Sequence, residues 1–269
     1  EALHTYAGAV GTPFTAQLQV DDVDSSMVNA VSDPYLVKIE QNTLDAEVNI
    51  AIDEGLWYLF KSKWTNASTG SFNGEAVCAW SSYSAYYASP TASAVLAFEV
   101  NAHKKEGDPA EDPYVEAVRG GLNWLFNGYY GSTSYPMLRP LGIATQPLGD
   151  PDTNSNGIGI EVYDRYHNPC YEGGMVMDAI IASNTPDDDC GRDFDGDGTN
   201  ETYFDVVQDM CDAYAWGQRD TYADLGGWRY SWNSDSDNSA CQWAAIGMIP
   251  AQNDWSCNLP QWMKDANNS

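Results

Sequence analysis

Basic residues are scarce in this chain. Lys and Arg total 12 against 39 Asp and Glu, a formal charge of −27 over 269 residues, and the longest basic run is Lys104–Lys105. A phosphate backbone or an anionic membrane surface would be repelled, which excludes nucleic-acid partners and membrane adhesion. Histidine is rarer still, with only His4, His103 and His167. Gly-x-Ser-x-Gly elbows and glycine-rich phosphate loops are absent, so serine-hydrolase and nucleotide chemistry have no anchor. No apolar run suits a bilayer: Ala76–Phe98 carries no charge, but five Ser, Pro90 and three Tyr make it too polar to insert. CxxC pairs are missing as well, which excludes the common zinc spacings. The chain begins at Glu1 without a signal-peptide pattern, which suits a processed protein or an excised domain.

What the chain does have is apolar mass and loop acid. Hydrophobic residues make up 43%, with 10 Trp and 17 Tyr, enough for a sizeable core. Asp outnumbers Glu by 27 to 12 and clusters in loops, as bound calcium, a saline setting or plain solubility would each produce. Six cysteines, Cys78, Cys170, Cys190, Cys211, Cys241 and Cys257, fit three disulfides in an oxidising compartment. Proximity alone pairs Cys190 with Cys211 and Cys241 with Cys257. Three glycosylation sequons, at Asn66, Asn200 and Asn267, favour the same extracellular or cell-surface location.

The first segment, 1–45, differs from the remainder, 46–269. Phe14–Val20 alternates apolar and polar, a strand signal, and Asp21–Asp24 ends it. This predicts an extended N-terminal arm, a short strand pair or a contact region for another chain. Helical patterns dominate from residue 46. Ala51–Phe60 matches Ala117–Phe126 at a spacing of 66, with apolar positions three or four apart, and Phe204–Trp216 is a weaker third copy. Each is followed by a polar loop and a second, small-residue-rich helix: Ser93–Val100, Gly174–Ile181 and Cys241–Ile249. These are apolar nearly all round, which predicts burial on more than one side. Pro186 and Pro250 are expected to close the latter two, and Trp255–Lys264 to begin a further outer helix. Three helical hairpins of this kind bury a continuous core only by stacking.

Ala51–Leu59, the Gly70–Gly74 turn and above all Gly226–Met248 resemble the prenyltransferase and squalene-cyclase repeat superfamily. The resemblance covers about 46–264 and implies a mainly α fold, an α/α toroid or a partial one, with the short extended arm in front. A closed toroid takes about six hairpins, and three to three and a half are present, so the resemblance implies an arc, part of a longer protein or a ring completed by another subunit. The superfamily's cyclase motif is not matched: Ser234–Ser239 holds two Asp in a helix-start pattern. Its zinc site cannot be assembled either. The fold carries over and the chemistry does not.

The sharpest local motif is Asp193-Phe-Asp-Gly-Asp-Gly-Thr-Asn-Glu201. Asp193, Asp195 and Asp197 alternate, Gly198 permits a tight turn, Thr199 can lend a carbonyl, and Glu201 or Asp205 can close an oxygen shell around Ca2+. The twelfth position is Phe204, so this is not a complete EF-hand. Asp152, Asn154, Asn156 and Asp164 share the same frame in a second loop, with amides in place of two carboxylates. One calcium ion is expected at the first loop and a weaker one at the second, stapling long inter-helix insertions.

A catalytic alternative rests on Tyr163, Arg165, Tyr166 and His167, which gather an Arg for a uronate carboxylate and groups that move a proton, as a polysaccharide lyase requires. Glu75, Glu172, Asp178 and Asp237 are the acids placed to serve a glycoside hydrolase in a rim cleft. Trp57, Trp80, Trp124, Trp228, Trp232 and Trp243 could stack on sugars, though helical spacing favours core. The leading expectation is therefore a secreted or surface, calcium-binding scaffold, binding domain or assembly subunit without catalysis. It would associate with itself or another surface protein. The alternative is a glycan-active enzyme.

Overall fold

The computed structural model describes residues 7–16, 19–20, 30–31, 35–38, 41–64, 71–72, 75–82, 86–128, 137–164, 167–220 and 226–268. The chain divides into two compact units, 1–57 and 58–269. The division falls inside a helix, whereas the sequence pattern placed it at 45/46.

In the first unit the Phe14–Val20 alternation becomes β1 (Pro13–Ala16) and β2 (Gln19–Val20). β3 (Ala30–Val31) pairs antiparallel with β2, and β4 (Tyr35–Lys38) with β1, Phe14 lying opposite Val37. The arm thus contains short strand pairs, one of the forms expected of it. Asp21–Asp24 lies outside the described residues. Helix α1 (Leu44–Ser62) carries acids in its first turn and Lys61 in its last, complementing the helix dipole.

The second unit is mainly helical. A small ladder, β5 (Ser71–Phe72) with β6 (Glu75–Ala76), precedes α2 (Ala88–Val100) and α3 (Val115–Asn127). An antiparallel hairpin follows, β7 (Leu138–Gly142) with β8 (Ile158–Val162). Then come α4 (Pro169–Ala182), α5 (Tyr203–Gly217), α6 (Asn238–Asp254) and α7 (Gln261–Asn267). The six hairpin segments are helices here, whereas of Trp255–Lys264 only Gln261–Lys264 is helical, in the first part of α7. The β7–β8 hairpin was not foreseen.

The small-residue helices form one row, α4 packing against α2 on one flank and α6 on the other. Helix α3 packs on α2, and α5 packs on β8 and α4. Glycine sets the α4–α6 distance: a Cβ on Gly174 would strike the Trp243 carbonyl, and one on Gly247 would lie 2.9 Å from the Gly174 backbone. Burial on several sides holds for α4, where even Glu172 is enclosed. It fails for α6. Only Ala240, Ala244, Gly247, Met248 and Ala251 are buried there, and Ile249 is 57% exposed. Helix α6 has α4 on one side and no comparable neighbour on the other among the described residues.

Pro250 does not close α6, which runs on to Asp254. Proline removes one helix hydrogen bond, but fully buried Ala251 holds the last turn against the core. Trp80, Trp124 and Trp228 are core, Trp232 and Trp243 are half-buried, and Trp57 is exposed. Fully buried Phe98, Trp124, Phe126 and Tyr214 anchor the interior, with the Tyr214 hydroxyl donating to the Cys170 carbonyl at 2.6 Å. Among the described residues no helix is long and apolar enough to cross a membrane.

Candidate metal centre

The first acidic loop is pinched at its base. Asp189 bridges Thr202, the Cys190 N–H donates to the Glu201 carbonyl, and the Glu201 N–H donates to the Arg192 carbonyl. Inside that pinch the carboxylates organise the backbone. Asp193 accepts from the Gly196 N–H (2.6 Å) and, with its other oxygen, from the Gly198 N–H (2.9 Å). Asp195 accepts from the Asp197 N–H and Asp197 from the Thr199 N–H. Gly198 sits at φ +95°, a conformation that disfavours any side chain. One oxygen from each of Asp193, Asp195 and Asp197 lies within 4.8 Å of the others, with all three residues exposed. Their like charges face one another across open space.

The second loop repeats this frame residue by residue. Asp152 accepts from the Ser155 N–H (2.7 Å) and the Gly157 N–H (2.8 Å). Asn154 accepts from the Asn156 N–H and Asn156 from the Ile158 N–H. Gly157, at φ +82°, stands where Gly198 stands. The chemistry differs where Asn replaces Asp. Both amides donate to Asp209, Asn154 at 2.7 Å and Asn156 at 3.1 Å. Asp212 accepts from the Thr153 N–H and hydroxyl and from Gln208. Asp209 and Asp212 are fully enclosed on α5, and burial pushes their carboxyls up to about 7 and about 6, against the hydrogen bonds that favour ionisation.

The two loops face a common cavity of about 230 Å³. Asn154 and Asn156 line it from one side, and Asp195, Asp197, Thr199 and Glu201 from the other. Asp205 lines it too, from the first turn of α5. Glu201 is turned onto the loop's own backbone, accepting from the Phe194 and Asp195 N–H groups. Burial raises its pKa, and those N–H bonds oppose the rise. Asp205 completes a capping box with Thr202. Both acids foreseen as shell-closing are thus close by but already bonded. Asp164 is not at the second loop. It sits beyond the far end of β8, buried, and accepts from the Tyr87 and Ala88 N–H groups at the start of α2. Equal spacing in the sequence does not place it because the intervening strand carries it away. Hard oxygen donors dominate this cavity, a set suited to hard cations and poor for soft metals.

The catalytic alternative is only partly described. Arg165 and Tyr166 lie outside the described residues. His167 meets Glu161 at 3.1 Å and Arg139 at 3.3 Å, and its ring lies 4.8 Å from Tyr163. Glu161, almost wholly buried, also accepts from Arg139 Nε (2.7 Å) and from Trp232 Nε1 (2.7 Å). The centre of this cluster is Glu161, a residue sequence reasoning missed. It stands in a strand interrupted by Gly159, and neither it nor Arg139 falls in a recognisable motif.

The remaining acids separate. Asp237 caps α6, accepting from Ser239 and the Ala240 N–H, bonds that hold its pKa low. Glu99 and Glu172 are enclosed on α2 and α4, and burial pushes each up to about 8. Burial raises the Asp178 carboxyl as well. The Glu75 side chain is outside the described set.

The cysteines do not follow the proximity pairing. All six are unpaired thiols, and Cys211, on α5, hydrogen-bonds with Cys257 rather than standing by Cys190. The Cys190 thiol instead donates to the Arg192 carbonyl, and Cys241 accepts from the Trp228 N–H. Chain neighbours separate because α5 packs back toward the segment after α6. Of the sequons, Asn66 lies outside the described residues, and Asn200 and Asn267 are exposed.

Comparison with family models, curated proteins and solved structures gives no match.

Proposed function

We propose that this protein is a calcium-binding, helical-repeat scaffold, a non-catalytic subunit of an assembly outside the cell or on its surface. The observation that carries the reading is the doubled loop. Two segments with different side chains adopt one hydrogen-bond frame and face one cavity rich in oxygen. Asp193, Asp195 and Asp197 would supply the first ion's charge-bearing ligands, with Thr199 beside them. Asp152, Asn154 and Asn156 would form a weaker second site. A cation held only by the folded loops stabilises them by mass action.

The row α2–α4–α6, with α3 and α5 packed against it, supports an arc of toroid-type hairpins, as the superfamily resemblance implies. The half-exposed α6 supports association with a second copy or another surface protein. The exposed sequons Asn200 and Asn267 support the extracellular setting.

Thermal melting and light scattering with Ca2+ and with EGTA test the reading. Calcium at about a hundred times its Kd should stabilise the fold by about 2.7 kcal/mol, a rise of several degrees in Tm. EGTA should reverse it. An unchanged Tm with millimolar Ca2+ would overturn the calcium reading, and a monomer at high concentration with Ca2+ would remove self-assembly.

A further inference from the structure

We propose that the cleft at the N-terminal ends of α2 and α4 binds a neutral saccharide. The cleft encloses about 540 Å³, within the size range of small-molecule sites, and shares no residue with the calcium loops. Three tyrosines line it: Tyr86, Tyr171 and Tyr230. Tyr171 is clamped edge-on by Trp243 (ring centroids 4.9 Å apart, 65°) and by Tyr230 (5.9 Å, 67°). The aromatic wall therefore exists before any ligand arrives, which removes much of the ordering entropy of binding. The electron-rich face of such a ring attracts the weakly positive C–H face of a pyranose.

The polar groups of the cleft are of one kind. Ser82, Ser89 and Asn168 each donate and accept, as sugar hydroxyls do. Among the described residues that line it, none is Lys, Arg, Asp or Glu. An anionic sugar would meet the field of a chain carrying −27. A cationic ligand would find no carboxylate among the described lining residues. Glu172 is fully enclosed behind Ser89, whose hydroxyl donates to Oε1 at 3.4 Å, while Oε2 has no partner. Burial, reinforced by nearby Asp164, pushes this carboxyl up to about 8, which favours its neutral form. Aromatic faces and two-way hydrogen bonders together select an uncharged polyhydroxylated ligand.

Isothermal titration with cellohexaose, laminarihexaose, xylohexaose and mannohexaose, and with a galacturonic acid hexamer as the charged control, tests this. At least one neutral hexamer should bind with Kd of about 1 mM or tighter, and the acidic hexamer should not. Tyr230→Ala should weaken that binding about tenfold. Tyr230 is 43% exposed, so the variant keeps its fold. Tyr58→Ala, an exposed tyrosine outside the cleft, should bind as the parent does. No binding by any neutral hexamer, tighter binding of the acidic one, or an unchanged Kd in Tyr230→Ala would each overturn the proposal. EGTA should leave saccharide binding in place, which keeps this test separate from the calcium reading.

Discussion

The two loops that meet beside α5 have one backbone and two chemistries. In both, the leading Asp holds N–H groups three and five residues on, and the next two alternate positions each hold the N–H two residues on. Carboxylates fill those two positions in the first loop and amides in the second. The first loop leaves its charge exposed. The second spends its amide N–H groups on a buried acid, Asp209. Backbone geometry therefore follows from the position of Asp and Gly, while the partner of each loop follows from charge. An all-carboxylate loop would repel Asp209, and an Asn loop can bind it.

The largest test of that difference removes the buried acid. Asp209→Ala removes the buried acceptor of both second-loop amides and should destabilise the protein by about 1–2 kcal/mol in urea unfolding. Asp197→Ala, at an exposed position, should change stability by less than about 0.5 kcal/mol without calcium. Equal losses would erase the distinction between an anchored loop and an open one. Next in size is an exchange of chemistry. Asp195→Asn with Asp197→Asn makes the first loop resemble the second and should weaken calcium binding by about ten- to a hundredfold in titration calorimetry. An unchanged affinity would show that charge at these positions does not set binding. The smallest test probes what the loops share. Gly198→Ala and Gly157→Ala each force a side chain into positive φ with open space around it, and each should cost about 1 kcal/mol. Unequal losses would mean that the common frame is less alike than its hydrogen bonds.

How much of this was legible varied with the range of the interaction. The helices were, because their apolar spacing is local and registers burial directly. The shared loop frame was, because Asp and Gly act on N–H groups a few residues away. Asp164 was misplaced because its destiny is decided by α2, far away in the chain. The β7–β8 hairpin was hidden by Pro140, Gly142 and Gly159, which interrupt the alternation that marks a strand. Asp205, Asp209 and Asp212 recur at helical spacing on α5, a signal that was present. On a helix, acids ordinarily mark the solvent face, so the spacing did not suggest a buried pair. The contact of Cys211 with Cys257 had no local signal at all.

The anchoring of the second loop also bears on the order in which the chain folds. Asn154 and Asn156 reach Asp209 across 55 and 53 residues of sequence. Closing so long a loop is entropically slow, and contacts of this range form after local helices do. The second loop therefore acquires its final partners only when α5 has docked on β8. Its anchoring is a late product of folding, and a peptide containing the loop alone would lack it.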